Sequence, residues 1–313
     1  MTEDPSTNAR QQIEALLVDR PYRLVRLLGQ GSMGEVWVVR HTALESDMAL
    51  KVLHVRHLRS AFHRERFLLE ARVTASIHHP NVVRVIDYWD APDQRPCFVM
   101  QLLAGNTLDR ELRARNCLPS GEAVELGYQV ASALQAAHAA GFIHRDIKLD
   151  NIFLHRTSPA GFQAKLLDFG LARVVSPATT AGFLAPTLAT QTGSMVGSPR
   201  FMSPEALRGE LVDHRGDLYS LGIVLYMALV GRNYLFDWAT RPVFAPPSQL
   251  STAQCPPELD AVILRAVEPR KEDRYQSAAE LLAALQPLRP TPAQSSFTLP
   301  LASLSVTRKR EDQ

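Results

Sequence analysis

Between Tyr22 and Met100 the chain is built from short runs rich in β-branched and aromatic residues, and after Gly105 it turns alanine-rich and helical. That change of character limits the possible folds more than any single motif. YRLVRLLG, EVWVVRH, MALKVLH, NVVRVIDYW and CFVMQ read as strands. One helix interrupts them, FHRERFLLEARVTASI, in which Leu69, Val73 and Ile77 recur at helical spacing. Further on, GEAVELGYQVASALQAAHAAG predicts a long helix stopped by Gly141, and more helices are expected at 218–230, 257–267 and 277–285. Strands first and helices second predict an α+β fold in two lobes, β-rich over 21–103 and mainly helical over 104–288. Residues 1–20 are expected to be a flexible lead-in ending in a short amphipathic piece at 13–18. Residues 289–313, rich in Pro, Ser and Thr, are expected to be a disordered tail.

Composition removes several function classes. Of 313 residues 46% are apolar, enough for a large core, while 34 basic and 32 acidic side chains leave a formal charge of +2. That balance gives no support to nucleic-acid binding or a polybasic membrane anchor. Cys97, Cys117 and Cys255 lie far apart without metal-ligand spacing, and so few thiols predict a reducing, cytoplasmic setting. The amino terminus, MTEDPSTNARQQ, is polar and acidic, unlike a secretory signal. The longest apolar stretch, LYSLGIVLYMALV, is too short to span a bilayer and fits a buried helix.

The polar motifs concentrate in three places. LGQGSMGEVW carries Gly29, Gly31 and Gly34 in the pattern G-x-G-x-x-G-x-V. Glycines let a backbone approach phosphate oxygens without Cβ obstruction. In a dinucleotide fold the third glycine opens a helix. Here the strand-like Glu35–Val39 follows, so a hairpin flap over a nucleotide fits instead. Lys51 lies in the middle of an apolar strand, on one face with Ala49 and Leu53. A charge there needs a partner or an anion. Paired with Glu70 of the following helix, its ammonium would be aimed at the α- and β-phosphates of a nucleotide. Spacing alone does not choose among the glutamates of that helix.

The third place is HRDIKLDN, followed by KLLDFGLAR. Asp168 and Asn151 are oxygen ligands suited to Mg²⁺, which keeps several waters and bridges substrate phosphates. Asp146 is left to orient an acceptor hydroxyl and take its proton, and Lys148 adds positive charge beside the transferring phosphoryl group. The ordered combination G-x-G-x-x-G-x-V, A-x-K, H-R-D-x-K-x-x-N and D-F-G resembles the serine/threonine protein kinases, closest to their bacterial eukaryotic-like group. The likeness covers about 22–288.

That resemblance implies the bilobal protein kinase fold, ATP and Mg²⁺ (or Mn²⁺) as cofactors, and proteins with Ser or Thr acceptors as substrates. It selects Glu70 as the partner of Lys51. It places Leu28, Val36 and Ala49 around the nucleotide, Met100 as gatekeeper, and Leu102 and Leu103 as the hinge that bonds the adenine edge. Gln101 stands where relatives often carry glutamate. Lys148 favours a serine/threonine over a tyrosine kinase. The end of the activation segment is matched by Ser203-Pro204-Glu205, with Glu205 paired to Arg274, and Asp217 resembles the buried aspartate that holds the catalytic loop. Ser198 replaces a threonine common in the family and keeps a hydroxyl for Asp146 and Lys148. The segment between Asp168 and Glu205 is long. Phosphorylation of Thr190 or Thr192, with Arg145 and Arg173 as phosphate partners, is expected to order it, and a homodimer would serve autophosphorylation. A pseudokinase scaffold is disfavoured because Lys51, Asp146, Asn151 and Asp168 are all present. A small-molecule phosphotransferase is disfavoured by the S-P-E sequence, Arg274 and the long segment before them.

Overall fold

The computed structural model describes residues 5–158, 161–169, 173–174, 199–231, 244–251 and 255–290. A helix, α1 (Pro5–Ala15), leads into β1 (Tyr22–Gln30), β2 (Gly34–His41) and β3 (Asp47–Leu53). Helix α2 (Ala61–Ser76) follows, then β4 (Val85–Asp90) and β5 (Pro96–Gln101). The strands form one antiparallel sheet in the order β1-β2-β3-β5-β4. The β-branched and aromatic runs thus pair as their composition suggested, and α2 covers part of the inner face. Leu53, Phe67, Ala71 and Phe98 pack there, with Met100 against them.

Residues 5–20 are not the flexible lead-in expected of them. Ile13, Leu16 and Leu17 bury themselves against Trp37, Val39, Leu50, Val52, Trp89 and Val99 on the outer face of the sheet. Trp89 Nε1–H donates to the Leu16 carbonyl at 3.2 Å, and the Arg20 guanidinium lies 5.1 Å from the centre of the Trp89 ring. The helix is stabilised by residues seventy positions downstream, a long-range cause that no local pattern discloses.

The rest of the chain starts with β6 (Gly105–Thr107) and α3 (Leu108–Arg115), followed by the long α4 (Ser120–Ala139) and β7 (Phe142–Ile143). Next come the hairpin β8 (Ile152–Ser158) and β9 (Gly161–Leu166), and then β10 (Arg173–Val174), which pairs with β7. Helices α5 (Pro204–Leu207), α6 (Arg215–Val230), α7 (Pro247–Leu250), α8 (Pro257–Ala266) and α9 (Ala278–Leu285) complete the described part. Helix α6 is buried at every residue from Gly216 to Leu229, so its apolar run is core. Gly141, just past α4, has φ +83°, the left-handed conformation that ends helices. Helix α3 was not legible because only Leu108, Leu112 and Ala114 of its eight residues are apolar. Its signal is the cap, in which Arg110 N–H donates to Thr107 Oγ1 at 3.4 Å. Packing also runs past 288: Arg289 Nε donates to Glu125 Oε2 at 2.9 Å, and its guanidinium lies over Tyr128. From 291 the expected tail lies outside the described residues.

Candidate active site

Strands β1 and β2 meet in a hairpin, with Gly29 opposite Val36 and the Gly31 N–H donating to the Gly34 carbonyl at 2.8 Å. The three glycines do different work. A Cβ on Gly34 would stand 2.1 Å from the Val52 carbonyl oxygen, so glycine is needed there for β2 to reach β3. A Cβ on Gly29 would meet nothing within 4 Å, and one on Gly31 only the Gly34 carbonyl at 3.8 Å. Packing does not demand glycine at those two positions. Leu28 is exposed beside them.

Val36 lies opposite Lys51 across β2 and β3, and Ala49 lies opposite the half-buried Met100 across β3 and β5. Lys51 Nζ donates to Glu70 Oε1 at 2.5 Å, so the structure selects the same glutamate as the resemblance. Burial works against the ammonium, but Glu70 and then Asp168 outweigh it and hold the lysine above its usual value. Burial, and then the charge of Asp168, push the Glu70 carboxyl up to about 7, against the pull of Lys51. Its second oxygen, Oε2, is buried and has no hydrogen-bond partner among the described residues. Lys51, Glu70 and Asp168 therefore share one electrostatic site.

The segment from β7 to β8 forms the opposite wall. Asp217, buried at the start of α6, accepts the backbone N–H of His144 at Oδ2 (2.9 Å) and that of Arg145 at Oδ1 (2.8 Å). Burial alone would raise its carboxyl, yet His138, His144 and the Arg145 N–H hold it below the ordinary range. Arg145 has φ +64°, a conformation an arginine adopts only where its surroundings impose it, and these bonds impose it. Asp146 follows. Its Oδ2 accepts from Lys148 Nζ at 2.7 Å and from Asn151 Nδ2 at 2.9 Å, while Asn151 Nδ2 also donates to the Asp146 carbonyl at 2.8 Å. The amide nitrogen of Asn151 is thus spent on Asp146, which leaves Oδ1, the end suited to a hard cation, free of it.

Two bonds tie this wall to Asp168. Leu167 N–H donates to the Asn151 carbonyl at 2.8 Å, and His144 Nε2 lies 3.0 Å from the Leu167 carbonyl. Asp146 N–H donates to His144 Nδ1 at 3.2 Å, so the ring proton sits on Nε2 and donates to Leu167. The backbone is fixed up to Asp168 itself, which has φ +57°. His138 belongs to this arrangement, and the motif reading missed it: its Nε2 lies 2.8 Å from Asp217 Oδ2. The available signal was a histidine in the last turn of α4, six residues before His144.

Farther out, Arg274 NH1 and NH2 donate to the two oxygens of Glu205, each at 2.8 Å, and the pair is buried. Gln101 N–H donates to the Arg84 carbonyl at 2.9 Å, and Leu102 and Leu103, both half-buried, follow it. Arg145 NH2 donates to the Val212 carbonyl at 3.1 Å. Arg173 pairs its backbone with Ile143. Thr190, Thr192 and Ser198 lie outside the described residues.

The sequence profile of the protein kinase domain matches residues 22–275. The chain belongs to the protein kinase family. This kinase domain is 36% identical over 281 residues to the serine/threonine-protein kinase Pkn2 of Myxococcus xanthus, covering 87% of this chain and 33% of that one. It is 39% identical over 274 residues to Pkn1 of the same organism, covering 85% and 38%. With PknB of Mycobacterium leprae it shares 36% over 280 residues, covering 86% and 43%. The crystal structure of the Mycobacterium tuberculosis PknI kinase domain superposes with a TM-score of 0.63 at 28% identity, covering 85% of this chain and 95% of that one. The bilobal kinase fold and the bacterial serine/threonine kinase kinship expected from the motifs are those found. The chain spans between 33% and 43% of the length of these three curated relatives.

Proposed function

We propose that this chain transfers the γ-phosphoryl group of ATP to serine or threonine hydroxyls of proteins. The reading rests above all on the convergence of Lys51 and Asp168 on one buried electrostatic site, with Asp168 held by the loop that carries Asp146 and Asn151. Glu70 holds the Lys51 ammonium so that it meets the inner phosphates. The backbone at Gly29 and Gly31 has room to come against the phosphate oxygens. Asn151 Oδ1 and the Asp168 carboxylate form an oxygen donor set that fits Mg²⁺. When bound, the metal would neutralise charge on the phosphates.

Asp146 is the general base. Its carboxylate, oriented by Lys148 and Asn151, accepts the proton of the acceptor hydroxyl, and the Lys148 ammonium offsets charge on the transferring group. Leu28, Val36, Ala49, Met100 and Leu103 surround the adenine. Glu205 and Arg274 brace the floor on which a peptide would lie, which favours protein over small-molecule acceptors. Mg²⁺ is the working metal in preference to Mn²⁺. The setting is cytoplasmic, and no helix among the described residues is long and apolar enough to cross a membrane. Autophosphorylation at Thr190 or Thr192 between two copies, read by Arg145 and Arg173, would switch the enzyme on.

The test is incubation of the chain with labelled ATP and Mg²⁺, with Asp146→Asn alongside. Loss of a general base lowers turnover by about 10²–10⁴-fold, and label mapped to Thr190 or Thr192 is expected in the unaltered chain only. Wild-type turnover by Asp146→Asn would overturn the reading.

A further inference from the structure

The tip of the glycine hairpin has two chemically distinct sides. Its carbonyls are taken. His54 Nε2 lies 2.9 Å from the Gly31 oxygen, Arg56 NH2 donates to the Ser32 oxygen at 3.0 Å, and the backbone N–H of His54 donates to the Met33 oxygen at 3.0 Å. His57 Nε2 is also 3.0 Å from the Ser32 oxygen. With its proton on Nε2 it gives that carbonyl a second donor, and the longer 3.3 Å approach of Arg56 Nε to the same nitrogen is then not a bond. The amides are another matter. Gly31 N–H closes the turn, but those of Ser32 and Met33 donate to no group among the described residues.

All the donors come from one tetrapeptide, His54-Val55-Arg56-His57, directly after β3 and three to six residues beyond Lys51. They are braced in turn. The His57 ring stacks on His63 at 4.0 Å, and His63 Nδ1 lies 2.8 Å from Ser60 Oγ, the side chain that caps α2. Helix α2 carries Glu70, so the hairpin tip and the partner of Lys51 hang from one support.

We propose that His54, Arg56 and His57 are positioning residues for the triphosphate, fixing the carbonyl side of the hairpin tip and leaving the Ser32 and Met33 amides for the distal phosphate oxygens. The inference rests on the reading of this cleft as the ATP site. A free glycine loop would have to be ordered by each nucleotide that enters, and a loop held beforehand avoids that loss. The effect must depend on the phosphates, because the adenine is held elsewhere.

The experiment measures equilibrium binding of a non-hydrolysable ATP analogue and of adenosine to the full chain in Mg²⁺. Arg56→Ala/His57→Ala is expected to weaken the analogue roughly 3–10-fold, the scale of one or two hydrogen bonds, and to leave adenosine unchanged. Arg56→Lys, still able to donate to the Ser32 carbonyl, should restore most of the loss in an otherwise unaltered chain when compared with Arg56→Ala. Arg56 is exposed and His57 half-buried, and neither belongs to the buried core. An unchanged ratio of the two affinities overturns the proposal, and so does an equal loss for both ligands, which would mean general loosening of the lobe. Lys51→Met separates the two levels. If it binds the analogue as the unaltered chain does, the cleft is not the nucleotide site; if it loses binding while Arg56→Ala/His57→Ala does not, only the positioning role fails.

Discussion

Two of the buried cation–carboxylate pairs among the described residues are treated in opposite ways. Arg274 and Glu205 expose 0% and 3% of their side chains, and Lys51 and Glu70 expose 14% and 5%. Burial is similar, but the hydrogen bonding differs. Arg274 meets both oxygens of Glu205, and its remaining N–H groups reach the carbonyls of Glu268, Pro269 and Arg215. Burial would raise the Glu205 carboxyl, but its bonds to Arg274 hold it below the ordinary value. Lys51 meets one oxygen of Glu70, the other has no partner among the described residues, and the Glu70 carboxyl is pushed up to about 7. The planar guanidinium can satisfy a carboxylate completely, whereas an ammonium cannot. The satisfied pair ties α5 to the segment between α8 and α9. The unsatisfied one lies in the cleft, beside Asp168, where the ammonium has a second anion to serve.

If that contrast is right, the largest effect on stability belongs to the pair far from the chemistry. Arg274→Met leaves the Glu205 carboxylate buried without its cation and is expected to lower unfolding free energy by about 3–5 kcal/mol. Lys51→Met should cost only about 1 kcal/mol, because Glu70 is already close to taking a proton at neutral pH and becomes neutral instead. Activity should rank the other way, with Lys51→Met abolishing turnover in a folded protein. Urea unfolding of both variants at pH 7 checks the order, and equal losses would erase the contrast.

Acidity gives a finer test, since the two carboxylates are displaced in opposite directions. Glu70 holds its proton more tightly folded than unfolded, so its stabilising contribution is present below about pH 4.5 and is lost as pH rises towards 7. Glu205 is lowered, so its contribution is present above its unfolded value and is lost as pH falls through the lower folded one. Stability relative to the unaltered chain should therefore rise from pH 4.5 to 7 in Glu70→Gln. In Glu205→Gln it should fall as pH climbs through the acid range and then stay level. Parallel curves would show that the two sites are electrostatically alike.

Sequence alone disclosed the parts of this arrangement whose residue types are out of place locally. The lysine inside MALKVLH is such a residue; the glycines of LGQGSMGEVW and the aspartate and asparagine of HRDIKLDN are ordinary turn residues and were readable through their ordered spacing instead. Spacing alone did not separate Glu70 from Glu65, because its partner lies nineteen residues away; the resemblance selected it, and the fold brings β3 beside α2 to make the pair. Helix α1 was missed for the same reason, since the residues that bury Ile13 and Leu16 come from the sheet. His138 and the run from His54 to His57 belong to no motif, and only the contacts with Asp217 and with the hairpin tip distinguish them.

The smallest expected effect tests where the excess acidity shift of Glu70 comes from. Burial is its first cause, and the charge of Asp168 is the second. Asp168→Asn removes that charge with little change of shape and leaves the burial and Lys51 in place. The Glu70 carboxyl should then titrate below about 7 yet stay above the ordinary 4.5, which ¹³C NMR of the labelled side chain can follow. The Glu70→Gln comparison, repeated on the Asp168→Asn background, should show a smaller rise in stability, spread over a narrower pH range. A Glu70 titration that does not move would mean that Asp168 and Glu70 do not sense each other. The cleft would then hold two separate anionic sites in place of the single one on which a shared triphosphate depends.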